Sequence, residues 1–313
     1  MQFIVNLLNS MPGAIAQGLI WGIMAIGVFI TFRILDIADL SVDGSFATGG
    51  AVCVLLTVNG VPMALALLAA LAAGFLAGLV TGLLHTKMGI PAILAGILTQ
   101  LALYSINLRI LGFGTDSGSR ANLPVSVDKY TLWVSARYVH DISLKNPLPI
   151  ILIFVIAVIA LTYCFMGTEI GASLRATGSN RQMARAQGIN TDTTTVLALM
   201  LSNGLVSLSG ALYSQYQGFA DVNMGRGAIV IGLAAIIIGE TIFLKLFYRN
   251  LGLVMFSCAL GAVIYYIVIQ FILKLGLSTD DLKLLTAAVV AVFLAIPHFK
   301  GKLKIRKGAK ANA

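Results

Sequence analysis

The sequence predicts an all-α integral membrane protein of about nine transmembrane helices, within a range of eight to ten. Three observations predict it. First, 58% of the 313 residues are apolar and only 11% charged, where a soluble domain carries about 25% charged residues. Lys, Glu, Arg and Asp are the residues that cover a water-facing surface, so this surplus of apolar side chains needs lipid as solvent. Second, nine apolar segments approach the roughly 20 residues that cross about 30 Å of hydrocarbon. Third, many of the 32 glycines fall inside those segments rather than between them, as close helix packing requires.

In chain order the segments are 13–32, 43–58, 62–84, 91–110, 148–166, 193–215, 227–244, 251–273 and 283–297. No Lys or Arg precedes the first, so the charged front of a cleaved signal peptide is missing and a retained helix is expected. The second and last segments are short, as suits helices that tilt little or begin part-way through the membrane. The third carries Gly74, Gly78 and Gly82, a doubled G-x-x-x-G ridge that lets two backbones approach. Pattern alone does not name the partner helix.

Lys and Arg gather on the cytoplasmic side of short connections. Six of the 21 lie in the tail from Lys300 to Lys310, which fits contact with anionic headgroups rather than nucleic acid. With that tail inside, Arg33, Lys87, Arg175, Arg181, Arg185, Lys245 and Arg249 also fall inside. The topology is then N-outside and C-inside. Residues 1–298 form the transmembrane domain, with an outer loop at 112–147 and a basic cytoplasmic tail at 299–313. Tyr130, Trp133 and Tyr138 alternate with cations in that loop, as in an interfacial helix or a solvated loop with headgroup anchors.

Asp36, Asp39, Asp43 and Asp221 lie in or beside apolar segments, where an unpaired carboxylate costs a few kcal/mol or more. They are expected to face protein or water. Gly44, Gly49, Gly50, Gly225 and Gly227 nearby permit broken helices, tolerated at membrane depth where they line a cavity or are buried in protein. The helix from Gly18 leads into one such segment at 39–50, and the helix from Gly204 into another at 221–232. Opposite directions make these a candidate inverted repeat meeting near the midplane. Asp39, Asp43, Asn107, Asn203, Gln217, Asp221, Asn223 and Glu240 are thus candidates for a translocation path or its gates. Structural roles compete at each: Asp36 or Asp39 with Arg33, Glu240 with Lys245, and interhelical hydrogen bonds for the amides, Gln215 included.

The least membrane-like stretch inside the hydrophobic body is the connection 168–192. Gly178 is expected to break one helix, Ser179 or Asn180 to cap a second, and Gly188 to end it. Arg181 and Arg185 share a face of that short helix and are placed to meet acidic groups of a docking subunit.

The pattern Gly171, Arg175, Ala176, Gly178, Asn180, followed by Ala184 and Gly188-Ile189, resembles the coupling loop of ATP-binding cassette importer permeases. Three further strings, Asp39 to Phe46 (DLSVDGSF), Leu103 to Gly112 (LYSINLRILG) and Gly218 to Gly227 (GFADVNMGRG), extend the resemblance over all but the tail. The chain is similar to permeases of the branched-chain amino acid, ribose and nucleoside importer class, and within it to a subgroup assigned to tryptophan and tyrosine uptake. The resemblance implies a bacterial, multi-pass cell-membrane protein. It implies a second permease copy, two ATP-binding subunits gripping Arg175, Gly178, Asn180, Arg181, Arg185 and Gly188, and an extracytoplasmic substrate-binding protein. ATP and Mg then belong to the partner ATPase.

Nothing in the sequence supplies catalysis of its own. The phosphate-loop pattern G-x-x-x-x-G-K-[ST] does not occur, and no cofactor is expected on this chain. His85, His140 and His298 have no ligand-spaced Cys or acid beside them, so no metal site is expected. Cys53, Cys164 and Cys258 each lie in apolar stretches, against a disulfide framework. The reading is a transport subunit for a small solute, with a stand-alone secondary transporter driven by an ion gradient as the alternative.

Overall fold

The computed structural model describes residues 2–115, 118–139, 146–247 and 250–274, with a few positions between 284 and 295. The expected last span at 283–297 lies mostly outside them, as do Arg249, Lys145, the side chain of Lys245 and the tail. The chain is nearly all helical. Among the described residues ten α-helices run α1 Gln2–Phe29, α2 Val42–Val58, α3 Met63–Thr86, α4 Ala92–Leu111, α5 Pro147–Met166, α6 Glu169–Ser179, α7 Arg181–Ala186, α8 Thr191–Gln217, α9 Ala228–Phe247 and α10 Leu251–Lys274. Among the described residues six are long and apolar enough to cross a membrane, and α2 and the first part of α9 are shorter apolar helices.

Local chemistry sets the boundaries. Pro62 and Pro91, both extended, stand immediately before α3 and α4, where a missing N–H costs nothing. The Asn146 side chain accepts from Leu148 N and starts α5, and Asn190 accepts from Asp192 N and Thr193 N to start α8. Gly218, left-handed at φ +80°, ends α8. Among its described residues the 112–147 loop holds a 3₁₀ turn at Ala136–Tyr138 rather than a longer helix. It also holds a strand, β1 Asn122–Pro124, that pairs antiparallel with β2 Phe219–Asp221 in the register Leu123 to Ala220. The all-α expectation gains that one short sheet, which ties the 112–147 loop to the connection after α8.

Burial sorts centre from periphery. The most apolar window of α1 is 83% buried and that of α8 is 72%, whereas α5 reaches only 22%. Helix α8 is the axle: α2 and α3 pack on one side of it and α1 on another, and α1 in turn meets α9 and α10. Serines stitch the axle to its neighbours. Ser202 Oγ donates to Gly27 O at 2.7 Å, Ser209 Oγ to Ile20 O at 2.7 Å and Ser207 Oγ to Ala70 O at 2.6 Å, bonds that hold where lipid offers no alternative.

The glycine ridge has found its partner. A Cβ on Gly74 would strike Asn203 O and Ser207, one on Gly78 would strike Leu199 O, and one on Gly82 would lie 3.0 Å from Val196 Cα. All three contacts are on α8. Gly44, Gly49 and Gly50, expected to break a helix, instead sit inside unbroken α2. Gly49 lies against the Ser207 carbonyl and Gly210 of α8 against the Phe46 carbonyl, so these residues bring α2 onto the axle. The break falls earlier, at 35–41.

Candidate functional site

Two interruptions of the helices place the carboxylates Asp39, Asp43 and Asp221 in or beside them, each met by donors. At the first, α1 passes into a π-helical turn over Ile30–Ile34, a feature that concentrates at functional sites. Asp36 follows in the left-handed region at φ 58°. The chain then delivers Asp39 and Ser41 to the middle of α8. Asp39 Oδ1 accepts from Ser41 N at 2.9 Å and from Ser41 Oγ at 2.6 Å, and Oδ2 accepts from Asn203 Nδ2 at 2.7 Å. Asn203 Oδ1 accepts from Ser45 Oγ at 2.5 Å. Ser41 Oγ also lies 3.1 Å from that oxygen, but its one proton goes to the shorter carboxylate contact.

Asn203 stands twelve residues after Thr191, which at about 1.5 Å per residue is roughly 18 Å along the helix. This box therefore lies well inside α8, far from either of its ends. Asp39 and Asn203 are both buried and are joined to each other, not to Arg33. The expected pairing of Arg33 goes elsewhere: its Nε reaches Glu240 Oε1 at 2.9 Å and its second nitrogen reaches Oε2 at 3.2 Å. Glu240 thus fastens α9 to the π turn of α1.

The second interruption, 218–227, meets the start of α2. Asp43 Oδ2 accepts from Gly227 N at 2.9 Å and Oδ1 from Ile229 N at 3.0 Å. A side chain on α2 thereby caps the N-terminus of α9, where a carboxylate is favoured by the exposed amides and the helix dipole. Gly225 presses on the Asp43 carbonyl and Gly227 is left-handed at φ +87°, so both glycines are at a real break. Asp221 accepts from Asn223 N at 2.7 Å and from Asn122 Nδ2 at 3.4 Å, bracing the turn and the short sheet. Asn223 is exposed, and Gln217 donates to Tyr213 OH at 2.9 Å.

Between α2, α4 and this turn lies a cavity of about 330 Å³, lined by Asp43, Gly44, Gln100, Tyr104, Asn107 and Arg226 among others. Asn107 is 1% exposed; its Nδ2 reaches Gly44 O at 3.5 Å and its Oδ1 has no partner. A buried acceptor left unmet costs about 1–3 kcal/mol. Arg226 Cζ sits 6.0 Å from the Tyr104 ring centroid. Of the expected path residues, this cavity gathers Asp43 and Asn107 and adds Gln100, Tyr104 and Arg226, which sequence reasoning passed over. Tyr104 and Arg226 stand in two of the strings that carry the family resemblance, and that was the available signal.

The connection 168–192 folds as two capped helices. Thr168 Oγ1 accepts from Gly171 N at 3.2 Å to start α6, and Asn180 Oδ1 accepts from Met183 N at 2.9 Å to start α7. Gly188, left-handed at φ +81°, follows its end. Gly178 does not break a helix, because α6 continues to Ser179. Its missing side chain instead admits the carbonyl of Ile34, the last residue of the π turn. Arg181 and Arg185 are held by this chain's own Asp192, at 3.2 and 2.9 Å, and Arg185 Nε donates to Thr191 Oγ1 at 2.7 Å. Arg175 is exposed, and Met183 projects from α7 at 62% exposure.

Comparison with known proteins agrees with this architecture. Residues 10–296 match the family model described as "Branched-chain amino acid transport system / permease component". A tyrosine transport system permease protein of Clostridioides difficile (strain R20291) is 40% identical over 95% of this chain and 94% of its own length. An uncharacterised protein of Rickettsia prowazekii (strain Madrid E) is 33% identical over 92% of this chain and 98% of its own. An autoinducer 2 import system permease protein of Yersinia pseudotuberculosis is 29% identical over 69% of this chain and 58% of its own length. Matched along nearly its whole length, the chain belongs to the family of permease components of branched-chain amino acid transport systems.

Proposed function

We propose that this chain is the membrane-spanning permease subunit of a bacterial ATP-binding cassette importer, and that it imports an amino acid, with an aromatic one such as tyrosine as the first to test. The family match over residues 10–296 carries the permease assignment. The tyrosine suggestion comes from the relative that is 40% identical.

In this reading two copies of the chain form the path in the cell membrane, each copy held by one of two ATPase subunits that bind ATP and Mg. An extracytoplasmic binding protein delivers the solute, and anionic lipid meets the basic tail. Nine spans, N-outside and C-inside, put 168–192 in the cytoplasm and 112–147 outside. The two interruptions belong to oppositely directed helix pairs, α1–α2 and α8–α9, as in an inverted repeat. Their contact through Asp43 and the N-terminus of α9 supports that relation.

The mechanism follows from what α6 and α7 touch. Met183 and Arg175 offer an apolar and a cationic point to the ATPase, while the pairs to Asp192 keep α7 in a fixed attitude. Movement of α6 passes through Gly178 to the Ile34 carbonyl. The π turn transmits it in two directions, through Arg33 to Glu240 on α9 and through Asp39 to Asn203 on α8. Both halves of the path are thus displaced by one input.

Reversing charge at Arg181 and Arg185, each to Glu, removes the internal pairs and tips α7. Uptake by the reconstituted complex is expected to fall at least about tenfold while membrane insertion stays intact, with partial recovery when Asp192→Arg is added. Full uptake by the double variant rejects the coupling role.

A further inference from the structure

Two neighbouring hollows of opposite chemistry lie at the end of the helical body that carries α6. One is a groove of about 370 Å³ between α5 and α10, walled by Ile156, Ile159, Ala160, Leu253 and Phe256 among others. The other is a cleft of about 410 Å³ lined by Cys164, Gly167 and Arg175 among others. Tyr163 and Asn250 line both. We infer that the two form one binding site for an anionic phospholipid, its acyl chain in the groove and its phosphate in the cleft. This goes beyond the importer reading and requires only that the chain span a membrane.

Geometry gives the site a polar end and an apolar one. Tyr163 lies four residues before the Gly167 cap of α5, and Ile156 lies seven before Tyr163. At about 1.5 Å per residue the groove therefore runs roughly 10 Å along α5 away from the cleft. On the opposite wall Gly252, in the first turn of α10, meets Tyr163: a Cβ there would lie 3.2 Å from the ring's Cδ2. The groove opens outward, since Ile156 is 54% and Leu253 41% exposed. Helix α5 is also the least buried of the six long apolar helices, at 22% of its most apolar window. An acyl chain packs along such a wall by dispersion, whereas a soluble anion gains nothing from it.

The cleft supplies the charge. Arg175 is exposed, as a headgroup site at the membrane surface requires. No acid lines the cleft, and among the described residues Arg175 has no carboxylate partner. Its planar fork of N–H donors matches a phosphate. Asn250 spends Oδ1 on Gly252 N at 3.1 Å, and its amide nitrogen adds donors to the same wall. Tyr163 stands where the apolar wall gives way to the polar one, the place a tyrosine takes at a membrane interface. A cation with no acid beside it favours a headgroup of net negative charge over a zwitterionic one. Charge also argues against a second copy of this chain as the occupant. The short connections at that end carry Arg33, Lys87, Arg181 and Arg185 besides Arg175, so a copy would chiefly bring like charge.

The test uses the full chain in lipid nanodiscs, with the exposed Cys164 thiol on the cleft wall as reporter and Cys53 and Cys258 buried. It compares the rate of labelling by neutral N-ethylmaleimide in discs of phosphatidylcholine alone and in discs that also contain phosphatidylglycerol. Phosphatidylglycerol is expected to slow labelling at least about fivefold, since protection follows one plus the ratio of lipid concentration to Kd. Arg175→Gln removes the charge and Ala160→Trp fills the groove; both positions are exposed, so the fold is kept. Each should cut the slowing below about twofold, and Arg175→Lys should retain part of it. Equal labelling of the wild type in both kinds of disc overturns the site. So does equal slowing in the wild type and both variants, the mark of surface charge alone. Protection by inorganic phosphate in phosphatidylcholine discs, unchanged by Ala160→Trp, assigns the cleft to a soluble anion and overturns the lipid. Protection that grows with the number of chains per disc, whatever the lipid, assigns the groove to a second copy and overturns it as well. Each of these failures leaves the importer reading standing, whereas a wild-type chain that binds no ATPase sinks that reading and not this one.

Discussion

Asp39 shows what a single polar residue needs at membrane depth. Three donors converge on its carboxyl group, from Ser41 N, Ser41 Oγ and Asn203 Nδ2, so the group is met by protein and contributes to joining α2 to α8. Asn203→Asp would set a second carboxylate where the amide donor now lies 2.7 Å away. Thermal unfolding in detergent should reveal a loss of about 3 kcal/mol or more, the scale of an uncompensated buried charge. The exchange Asp39→Asn with Asn203→Asp restores one donor and one acceptor and should recover most of it; no recovery would show that the pair does not act as a unit. In the sequence Asp39 was conspicuous as an acid among apolar residues, but its partner was not, because Asn203 lies 164 positions away and any interhelical amide would have served. Separation along the chain likewise hid the company of Asn107 and Arg226 in one cavity.

Among elements, the long apolar helices were legible and their neighbours were not. Length and apolarity mark a helix in lipid whichever helix it packs on, so α3 announced its glycine ridge without naming α8. The breaks at 35–41 and 218–227 were anticipated by acids and glycines, but misplaced at Gly44, Gly49 and Gly50, because a glycine serves close approach as well as interruption. Gly178 was misread for the same reason. Its contact with the Ile34 carbonyl makes it the joint between α6 and the π turn, and a larger side chain there should uncouple them. Gly178→Leu is expected to leave ATP hydrolysis by the complex within about twofold, because α7 and its Asp192 pairs stay as they are, while uptake drops about tenfold or more. Tight coupling retained in that variant would contradict the route through α1.

At the scale of the whole molecule, an axle of α8 and α1 bears two helix breaks, the second of which meets the start of α2 through Asp43, and a pair of short helices, α6 and α7, hangs from one end of it. In the proposed mechanism that arrangement gives a partner ATPase one lever over both halves of the path. The pair α6 and α7 was legible as a cationic, capped segment; the internal pairing of its arginines with Asp192 was not, since an acid at the head of the next helix reads equally as a dipole complement. The most direct measurement places a single reactive thiol on the lever. Met183→Cys in a Cys164→Ser background, with the buried Cys53 and Cys258 left in place, should cross-link to the ATPase subunit in assembled complexes. The yield should change on adding ATP, and a membrane-impermeant reagent outside the cell should not label the thiol. Labelling from outside, or uptake-competent complexes that give no ATPase adduct, would contradict the account.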